Sequence, residues 1–468
     1  MDKNFLNKLS FSLIAQVLSI VVSLIFSLGI TKVLDVAHYG YWQLFILYSN
    51  YAGFFHLGIC DGLYLKHGGR SMERVNTFNF TNQLSLFLLI EIFISILFAG
   101  TLVFTTADPI KLSLLFFIVP YLIIANLQTY LSYILLATNK IEAYSISVFI
   151  EKIFIIVSII ILYIFKEINV NALIYIYIIG KLLSIFYLVY FVYPIIELKA
   201  LFVFKFKTIQ VLSKYALIGI PLMFSNVLST LIIGSNRLLT EHKYGIIAFS
   251  KLSFSISLVF LFIIFVSQIG IVLFPLLRRM NEENRKQIYY WIDNNLTILF
   301  ASFIIFYYPL VVFVQHYVPN YFDSVKYLSL MLPICIFEGK FQILFNTMYK
   351  VLNRQKTIFI INFTSLLVSL LLTYLSLYLF DSIILSIYSL VLIIVLRSVF
   401  SEMVLNKILK IGRFNLIVES VFIAFAFIVI NIKLNLIYGF ICYSVLLCTY
   451  IIFKYLRNEI SRKFNPIT

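Results

Sequence analysis

The sequence predicts an all-α, polytopic integral membrane protein with about 14 transmembrane helices. Three observations support this fold class: 62% of the 468 residues are hydrophobic, only 12% are charged, and the mean hydropathy is +1.02. A soluble globular domain has roughly 25% charged residues and about 45–50% apolar ones. No fold could hide so much apolar surface from water, so the composition excludes a soluble enzyme, a disordered chain and a nucleic-acid-binding protein.

A helix needs about 20 predominantly apolar residues to cross the hydrocarbon, because each residue advances it by only ~1.5 Å. Stretches of this length recur along the whole chain, and we number them as spans 1 to 14. They are 9–31, 40–61, 80–106, 112–138, 143–165, 171–196, 215–236, 246–275, 289–315, 327–349, 357–380, 382–404, 414–432 and 435–453. They do not alternate in polarity as the strands of a transmembrane β-barrel do, which favours helices throughout.

Lysine and arginine are unevenly divided between the two sides of the predicted membrane. With a cytoplasmic N-terminus, 24 of them lie in cytoplasmic segments, 7 lie in the opposite loops and 5 lie within spans. Cytoplasmic loops of membrane proteins carry such an excess. The division predicts that both termini are cytoplasmic, and it accounts for the net charge of +16 without nucleic acid.

Two short sequence matches indicate that the chain is a doubled unit. The pattern basic-x-Leu-x4-Tyr-Gly occurs at 32–40 and again at 237–245, and Asn139-Lys140 has a counterpart in Asn353-Arg354. Each pair occupies equivalent places in two successive sets of six spans. An even number of spans per unit gives a parallel repeat, for which the substrate path is expected between the halves.

The predicted domains follow from this repeat. Residues 1–197 form an N-terminal lobe of spans 1–6, and residues 198–410 form a C-terminal lobe of spans 7–12. Residues 411–468 contribute spans 13 and 14 and a cytoplasmic tail.

Charged side chains within the spans are candidates for function, because each costs about 2.5–3.5 kcal/mol at the bilayer centre unless it is paired or faces water. The cationic candidates for substrate binding are Lys152, Lys181, Lys251, Lys340 and Arg397. The acidic candidates, which we interpret as ion-coupling groups, are Glu91, Glu151 and Glu338. Five bases against three acids leave positive charge for an anion. The alternative is that the acids merely tie helices together through lysine partners, and that Lys251 extends outward to the interface.

Polar side chains recur at helical spacing in spans 1 and 7, and one more lies in span 2. Spacings of three and four residues keep side chains on one helical face, which is compatible either with a water-lined cavity or with close packing by small residues. We favour the cavity, because both members of the repeat pair show the pattern. The cavity-lining candidates are Ser12, Gln16, Ser19, Ser23, Asn50, Ser225, Asn226 and Ser229.

Span 2 ends in a glycine-rich segment, 58–70, whose backbone freedom suits a hinge. Asp61 in this segment is a candidate gate residue, with Lys66 or Arg70 as its partner.

Several chemical functions have no motif in the chain. There is no P-loop, no GxSxG and no HExxH, and the cysteines at 60, 335, 442 and 448 lack CxxC spacing. We therefore expect no metal, no disulfide and no ATP hydrolysis. We also expect no cofactor beyond a coupling ion, H⁺ or Na⁺.

The segments Tyr39-Gly40-Tyr41-Trp42 and Gly58-x-x-Asp61-Gly62 resemble polysaccharide-unit flippases of the Wzx type, within the multidrug/oligosaccharidyl-lipid/polysaccharide exporter superfamily. The resemblance implies two six-helix lobes around a central cavity lined by spans 1, 2, 7 and 8, working by alternating access. The two extra C-terminal spans resemble the arrangement in the related lipid II flippases.

The resemblance also implies a function. It is translocation of undecaprenyl-diphosphate-linked oligosaccharide units from the cytoplasmic to the periplasmic leaflet of the bacterial inner membrane, for O-antigen, capsule or exopolysaccharide synthesis. We expect the lipid-linked oligosaccharide and membrane lipids as ligands, and a polysaccharide polymerase or chain-length regulator as a protein partner. The alternatives are a membrane-embedded polymerase or acyltransferase of the same pathway, and a multidrug exporter of the same superfamily.

Overall fold

The computed structural model describes residues 18, 21–22, 24–69, 71–105, 108–201, 203, 205–410 and 415–464. Of the described residues, 89% are helical and none lies in a β-strand. This confirms the predicted all-α fold class.

The α-helices follow one another with short connections, and we label them in chain order. They are α1 Ile30–Val33, α2 Val36–Ser49, α3 Ala52–Phe55, α4 Ile59–His67, α5 Thr77–Thr105, α6 Pro109–Phe116, α7 Ile118–Ala137, α8 Ile141–Phe165, α9 Val170–Val192, α10 Phe206–Arg279, α11 Glu282–Ile304, α12 Tyr307–Tyr317, α13 Ser324–Met331, α14 Ile334–Lys340, α15 Asn346–Val351, α16 Gln355–Tyr374, α17 Ile383–Leu409, α18 Asn415–Lys433 and α19 Leu436–Phe464. Short π-helical turns lie at Ile25–Gly29, Phe341–Phe345 and Leu375–Leu379.

Several helices begin at a side chain that caps free backbone N–H groups. Asp35, Asp108, Asn169, Asn281 and Ser382 each accept a hydrogen bond from a backbone N–H in the first turn of the helix that follows. Such caps satisfy donors that have no partner within the helix. At the N-terminus of α2, the hydrogen bond from the backbone N–H of His38 keeps the pKa of Asp35 below its usual range.

Among the described residues, ten helical segments are long and apolar enough to cross a membrane, and the bent run 324–351 is an eleventh candidate. One of the ten, Phe206–Leu261, has 56 residues and would be more than twice the thickness of the hydrocarbon. Gly245 breaks it with a φ of 78°, a conformation that glycine adopts at little cost. The segment therefore provides two spans, at the positions predicted for spans 7 and 8. Predicted span 1 falls mostly outside the described residues.

Predicted span 2 is not one continuous helix. It consists of α2, α3 and α4, and the backbone between α3 and α4 turns through left-handed conformations at Leu57 (φ 50°) and Gly58 (φ 74°). We call residues 50–58 the broken segment of span 2. The glycine-rich end of the span was predicted as a hinge, but the break extends further toward the N-terminus than the glycines do.

The described helices divide into two compact units. The first contains residues up to 234 together with 244–250, and the second contains 235–243 and the residues from 251 onward. Residues 198–234, which the predicted boundary assigns to the second lobe, cluster with the first unit. The internal repeat itself remains a prediction.

The paired turns of that repeat share one local geometry. Asn139 and Asn353 both have positive φ, 62° and 55°, as asparagine tolerates better than most residues. The next residue donates its backbone N–H to a carbonyl five positions back in both turns, Lys140 to Leu135 and Arg354 to Tyr349, at 2.8 Å each.

In the first unit, α4 packs directly against the early part of α10. A Cβ on Gly62 would collide with the backbone of Tyr215, and a Cβ on Gly219 would collide with the backbone of Gly58. Only glycine permits helix backbones to approach so closely, as at small-residue contacts between membrane helices.

We predict that Gly62→Ala lowers the apparent melting temperature in detergent by at least about 3 °C, because the added methyl group overpacks this contact. Gly100→Ala is the matched control, since no atom lies within 4 Å of the Cβ position on this helical glycine. Equal melting temperatures for the two variants would show that the contact is not tight.

Candidate functional site

The first unit contains a polar network between three of its membrane-spanning helices. Glu151 of α8 lies 2.8 Å from the ammonium of Lys152 and 3.9 Å from that of Lys181 in α9. Gln128 of α7 connects the groups: its amide nitrogen donates to Glu151 at 2.7 Å and to Ser184 at 2.8 Å, and its oxygen accepts from Lys181 at 2.7 Å. We call these five residues the lysine network.

The lysine network holds two ammonium groups against one carboxylate. The side chains of Lys152 and Lys181 are 17% and 14% exposed, whereas that of Glu151 is 5% exposed. The carboxylate is therefore enclosed while the cations remain partly accessible. This arrangement can accept a further anion, because one positive charge is not balanced within the network.

Aromatic rings surround the lysine network. Both ammonium groups lie about 6 Å from the ring of Tyr177, and Lys181 lies 5.7 Å from that of Tyr121, within the range of cation–π attraction. These rings continue into Phe45 and Trp42, whose centroids lie 5.6 to 6.1 Å from the nearer tyrosines. The cations are thus held beside a rigid aromatic surface.

The second unit contains a different cluster of charges. Lys340 of α14 is 1% exposed and lies 2.7 Å from Asp293 of α11 and 3.3 Å from Glu402 of α17. Lys454 of α19 lies 3.4 Å from Glu419 of α18 and donates to the backbone carbonyl of residue 294 at 3.0 Å. We call these five residues the acidic cluster, because three carboxylates face two ammonium groups.

The two remaining cationic candidates also have carboxylate partners. Arg397 of α17 forms an ion pair with Glu338 of α14, and Gln342 donates to the same carboxylate at 2.7 Å. Lys251 donates to Asp323 at 2.6 Å, and this hydrogen bond keeps the pKa of Asp323 below its usual range. The Asp323 side chain is 68% exposed, so the pair lies at the surface of the unit.

These contacts correct the count of five bases against three acids. The sequence count omitted Asp293, Glu402 and Asp323, which lie near the ends of predicted spans or in a loop. Helix packing brings the first two to Lys340, where carboxyl groups outnumber cations. An excess of cations is present in the lysine network but not in the acidic cluster. The assignment of the cations to substrate binding stays a prediction.

The three acidic candidates have different surroundings. Glu151 and Glu338 each face a cation, as described above. Glu91 of α5 is completely buried, and the contact that its carboxylate makes is with the amide nitrogen of Asn126, at 2.7 Å.

The structure places the cavity-lining candidates as follows. Ser12, Gln16, Ser19 and Ser23 lie outside the described residues. Ser225 and Ser229 are buried, whereas Asn226 and Asn50 are exposed, so the polar residues of span 7 do not share one environment.

The gate candidates are also only partly described. Asp61 is buried, with its carboxylate 3.7 Å from the imidazole of His56, while Lys66 is exposed and Arg70 lies outside the described residues.

Sequence reasoning missed Gln128, Asn126, Asp293, Glu402 and Glu419. The two amides have no charge to distinguish them from packing residues, and the three acids lie near span ends. Acidic residues within six positions of a span boundary would have been the signal for the acids.

No family model and no curated protein matches the chain. Several solved structures do match the chain in their fold. The lipid II flippase MurJ in an inward-closed conformation has a TM-score of 0.65 at 16% identity, over 97% of this chain and 99% of that one. An inward-facing multidrug resistance MATE transporter of the MOP superfamily also has a TM-score of 0.65, at 13% identity, over 87% of this chain and 99% of that one. A mutant of the Vibrio cholerae MATE transporter VcmN has a TM-score of 0.59 at 14% identity, over 89% of this chain and 98% of that one.

These likenesses show the fold, which the chain shares with MATE transporters of the MOP superfamily and with a lipid II flippase. Both kinds of structural neighbour are transporters rather than enzymes.

We predict that Lys340→Met strongly destabilises the protein, because it leaves Asp293 and Glu402 buried without their cation. Removing one partner of a buried ion pair costs about 3–5 kcal/mol. Lys286→Met is the control: this lysine pairs with Glu282 across one turn of α11 at the surface, where such pairs contribute about 1 kcal/mol or less. Thermal unfolding in detergent checks the difference, and equal stability of the two variants would contradict a buried role for the cluster.

Proposed function

We propose that this protein is a flippase for oligosaccharides carried on a polyprenyl diphosphate such as undecaprenyl diphosphate. The observation that carries the proposal is the extent of the structural likeness. MurJ matches 97% of the chain, whereas the MATE structures match 86–90% of it. A multidrug exporter fold leaves part of the chain without a counterpart, and the lipid flippase fold leaves almost none.

The lysine network supports the same substrate class. A diphosphate cannot enter hydrocarbon unless charged or hydrogen-bonding groups replace its water. Lys152 and Lys181 offer two partly accessible ammonium groups whose charge Glu151 only half neutralises. Charge-assisted hydrogen bonds from such groups to phosphate oxygens are about twice as strong as neutral ones. The polyprenyl chain, being apolar, can stay in the lipid.

The wider setting of this function is part of the proposal. The protein acts in the inner membrane of a bacterium with both termini cytoplasmic, in O-antigen, capsule or exopolysaccharide synthesis, beside a polysaccharide polymerase or chain-length regulator. Transport is coupled to H⁺ or Na⁺ and proceeds by alternating access.

Multidrug export is the second candidate, and the inward-facing MATE transporter favours it with the same TM-score of 0.65 as MurJ. Many such drugs are cations, which the unbalanced positive charge of the lysine network would repel. The two functions therefore differ in the sign of the charge that the transported molecule carries.

A reconstituted flipping assay tests the proposal. Proteoliposomes would contain undecaprenyl diphosphate linked to a fluorescent N-acetylglucosamine, and dithionite quenching would report how much of it each leaflet holds. We predict that Lys152→Met and Lys181→Met each slow flipping by about tenfold to a hundredfold, because each removes a charge-assisted contact to the diphosphate. Lys166→Met, at the exposed end of α8, should flip the lipid at the rate of the unchanged protein.

Two results would contradict this account. Normal flipping in both lysine variants would show that the lysine network does not bind the diphosphate. A protein that flips no diphosphate lipid but extrudes ethidium would overturn the flippase function and establish multidrug export.

A further inference from the structure

Glu91 has an unusual environment for a carboxyl group in a membrane helix. One of its oxygens, Oε2, accepts a hydrogen bond from the Asn126 amide nitrogen at 2.7 Å. The other, Oε1, is buried and has no hydrogen-bond partner among the described residues. The same Asn126 nitrogen also donates to the backbone carbonyl of Ala52 at 3.1 Å.

The orientation of the Asn126 amide is fixed by these two contacts. Both neighbours of its nitrogen, the Glu91 carboxyl and the Ala52 carbonyl, are acceptors. Turning the amide over would bring its oxygen against two other oxygens. The nitrogen therefore stays beside Glu91 and occupies the place that a cation would need.

The groups that face Glu91 from neighbouring helices carry no compensating charge. Cys60 of α4 is a buried thiol within electrostatic range of it. The imidazole of His56 accepts from the backbone N–H of Gly58 and lies beside Asp61. Across the described part of the chain, no lysine or arginine forms an ion pair with Glu91, in contrast to Glu151 and Glu338. A carboxylate charge left unpaired in this setting is costly, and a proton on Oε1 removes that charge.

Sodium fits the geometry less well than a proton. Hard cations take about six or more oxygen ligands, and Glu91 offers one free oxygen beside an amide nitrogen. The described residues also contain no group of three or more His, Cys, Asp or Glu side chains that could hold a metal ion.

Asn126 connects Glu91 to the part of the first unit that departs most from regular helix. Its second acceptor, Ala52, belongs to α3 in the broken segment of span 2, where Leu57 and Gly58 have positive φ. A deprotonated Glu91 is a stronger hydrogen-bond acceptor than a protonated one. Its charge state therefore affects how the Asn126 N–H groups are shared between Glu91 and Ala52.

We propose that Glu91 is a proton-binding site and that Asn126 transmits its protonation state to the broken segment of span 2. A proton from water on one side of the membrane binds Oε1, and the same proton returns to water on the other side, with no change in electrons. The role of this proton in transport rests on the proposed flippase function, whereas the binding site itself does not.

Infrared spectroscopy of the purified protein tests the site without any substrate. From about pH 5 to about pH 9, the spectrum should contain a pH-dependent C=O stretch of a buried carboxylic acid. Because the acidic cluster contains other buried carboxyl groups, the difference between spectra is measured. We predict that Glu91→Gln lowers this absorption by one carboxyl group and that Glu73→Gln, at an exposed position, leaves it unchanged. Absorption that is the same in Glu91→Gln as in the unchanged protein would overturn the site.

A second variant keeps the test decisive if Glu91→Gln does not fold. Asn126→Leu leaves the carboxyl in place and removes its hydrogen-bond partner, so the band should move to a different wavenumber. An unchanged band would mean that it does not come from Glu91.

The role in transport has its own readout in the flipping assay. Under an imposed pH gradient, the unchanged protein should flip the diphosphate lipid faster than without one, and Glu91→Gln should flip it at a rate that no longer responds to the gradient. A response retained in Glu91→Gln would overturn the coupling role. If the unchanged protein flips no diphosphate lipid, the flippase proposal fails, and the infrared result alone then decides whether the proton site exists.

Discussion

The cost of charge in hydrocarbon is the constraint on which this structure depends. A charged side chain that the membrane helices enclose is costly unless a partner in the protein or water compensates it, since lipid provides neither counterions nor water. The two units differ in the ratio of cations to carboxyl groups in their buried clusters. The lysine network places two cations on Glu151, and the acidic cluster places Asp293 and Glu402 on Lys340. Cations outnumber carboxyl groups in the lysine network, and carboxyl groups outnumber cations in the acidic cluster.

The same constraint attaches the last two helices to the second unit. Lys454 of α19 contacts Glu419 of α18 and a backbone carbonyl of α11, and Ser420 of α18 lies 3.4 Å from the ammonium of Lys340. Helices α18 and α19 are therefore bound by buried polar contacts and not by apolar packing alone. Since lipid gives apolar helices little reason to associate, these contacts explain why helices beyond the predicted twelve-span repeat form part of the compact unit.

Hydropathy was sufficient to predict the fold class and most spans, because helix formation in a membrane depends mainly on local composition. It did not predict the break within span 2, which requires Leu57 as well as Gly58 to adopt positive φ. Nor did it predict the ion pairs. Lys340 and Glu402 are 62 positions apart, and only the packing of α14 against α17 brings them together. Asp293 and Glu402 lie near the ends of predicted spans, where an acid can reach water, although both are almost fully buried in the structure.

Residue type alone could not separate Glu91 from Glu151 or Glu338, because all three are single acids within apolar stretches. Their partners separate them. A carboxylate that contacts an ammonium or guanidinium group is part of an ion pair, and a proton on it would break that pair. A carboxyl that contacts only an amide has no such group to fix its state, and a proton can enter or leave it without breaking an ion pair. The helix contacts of this chain thus distinguish Glu151 and Glu338, each beside a cation, from Glu91, which lies beside an amide.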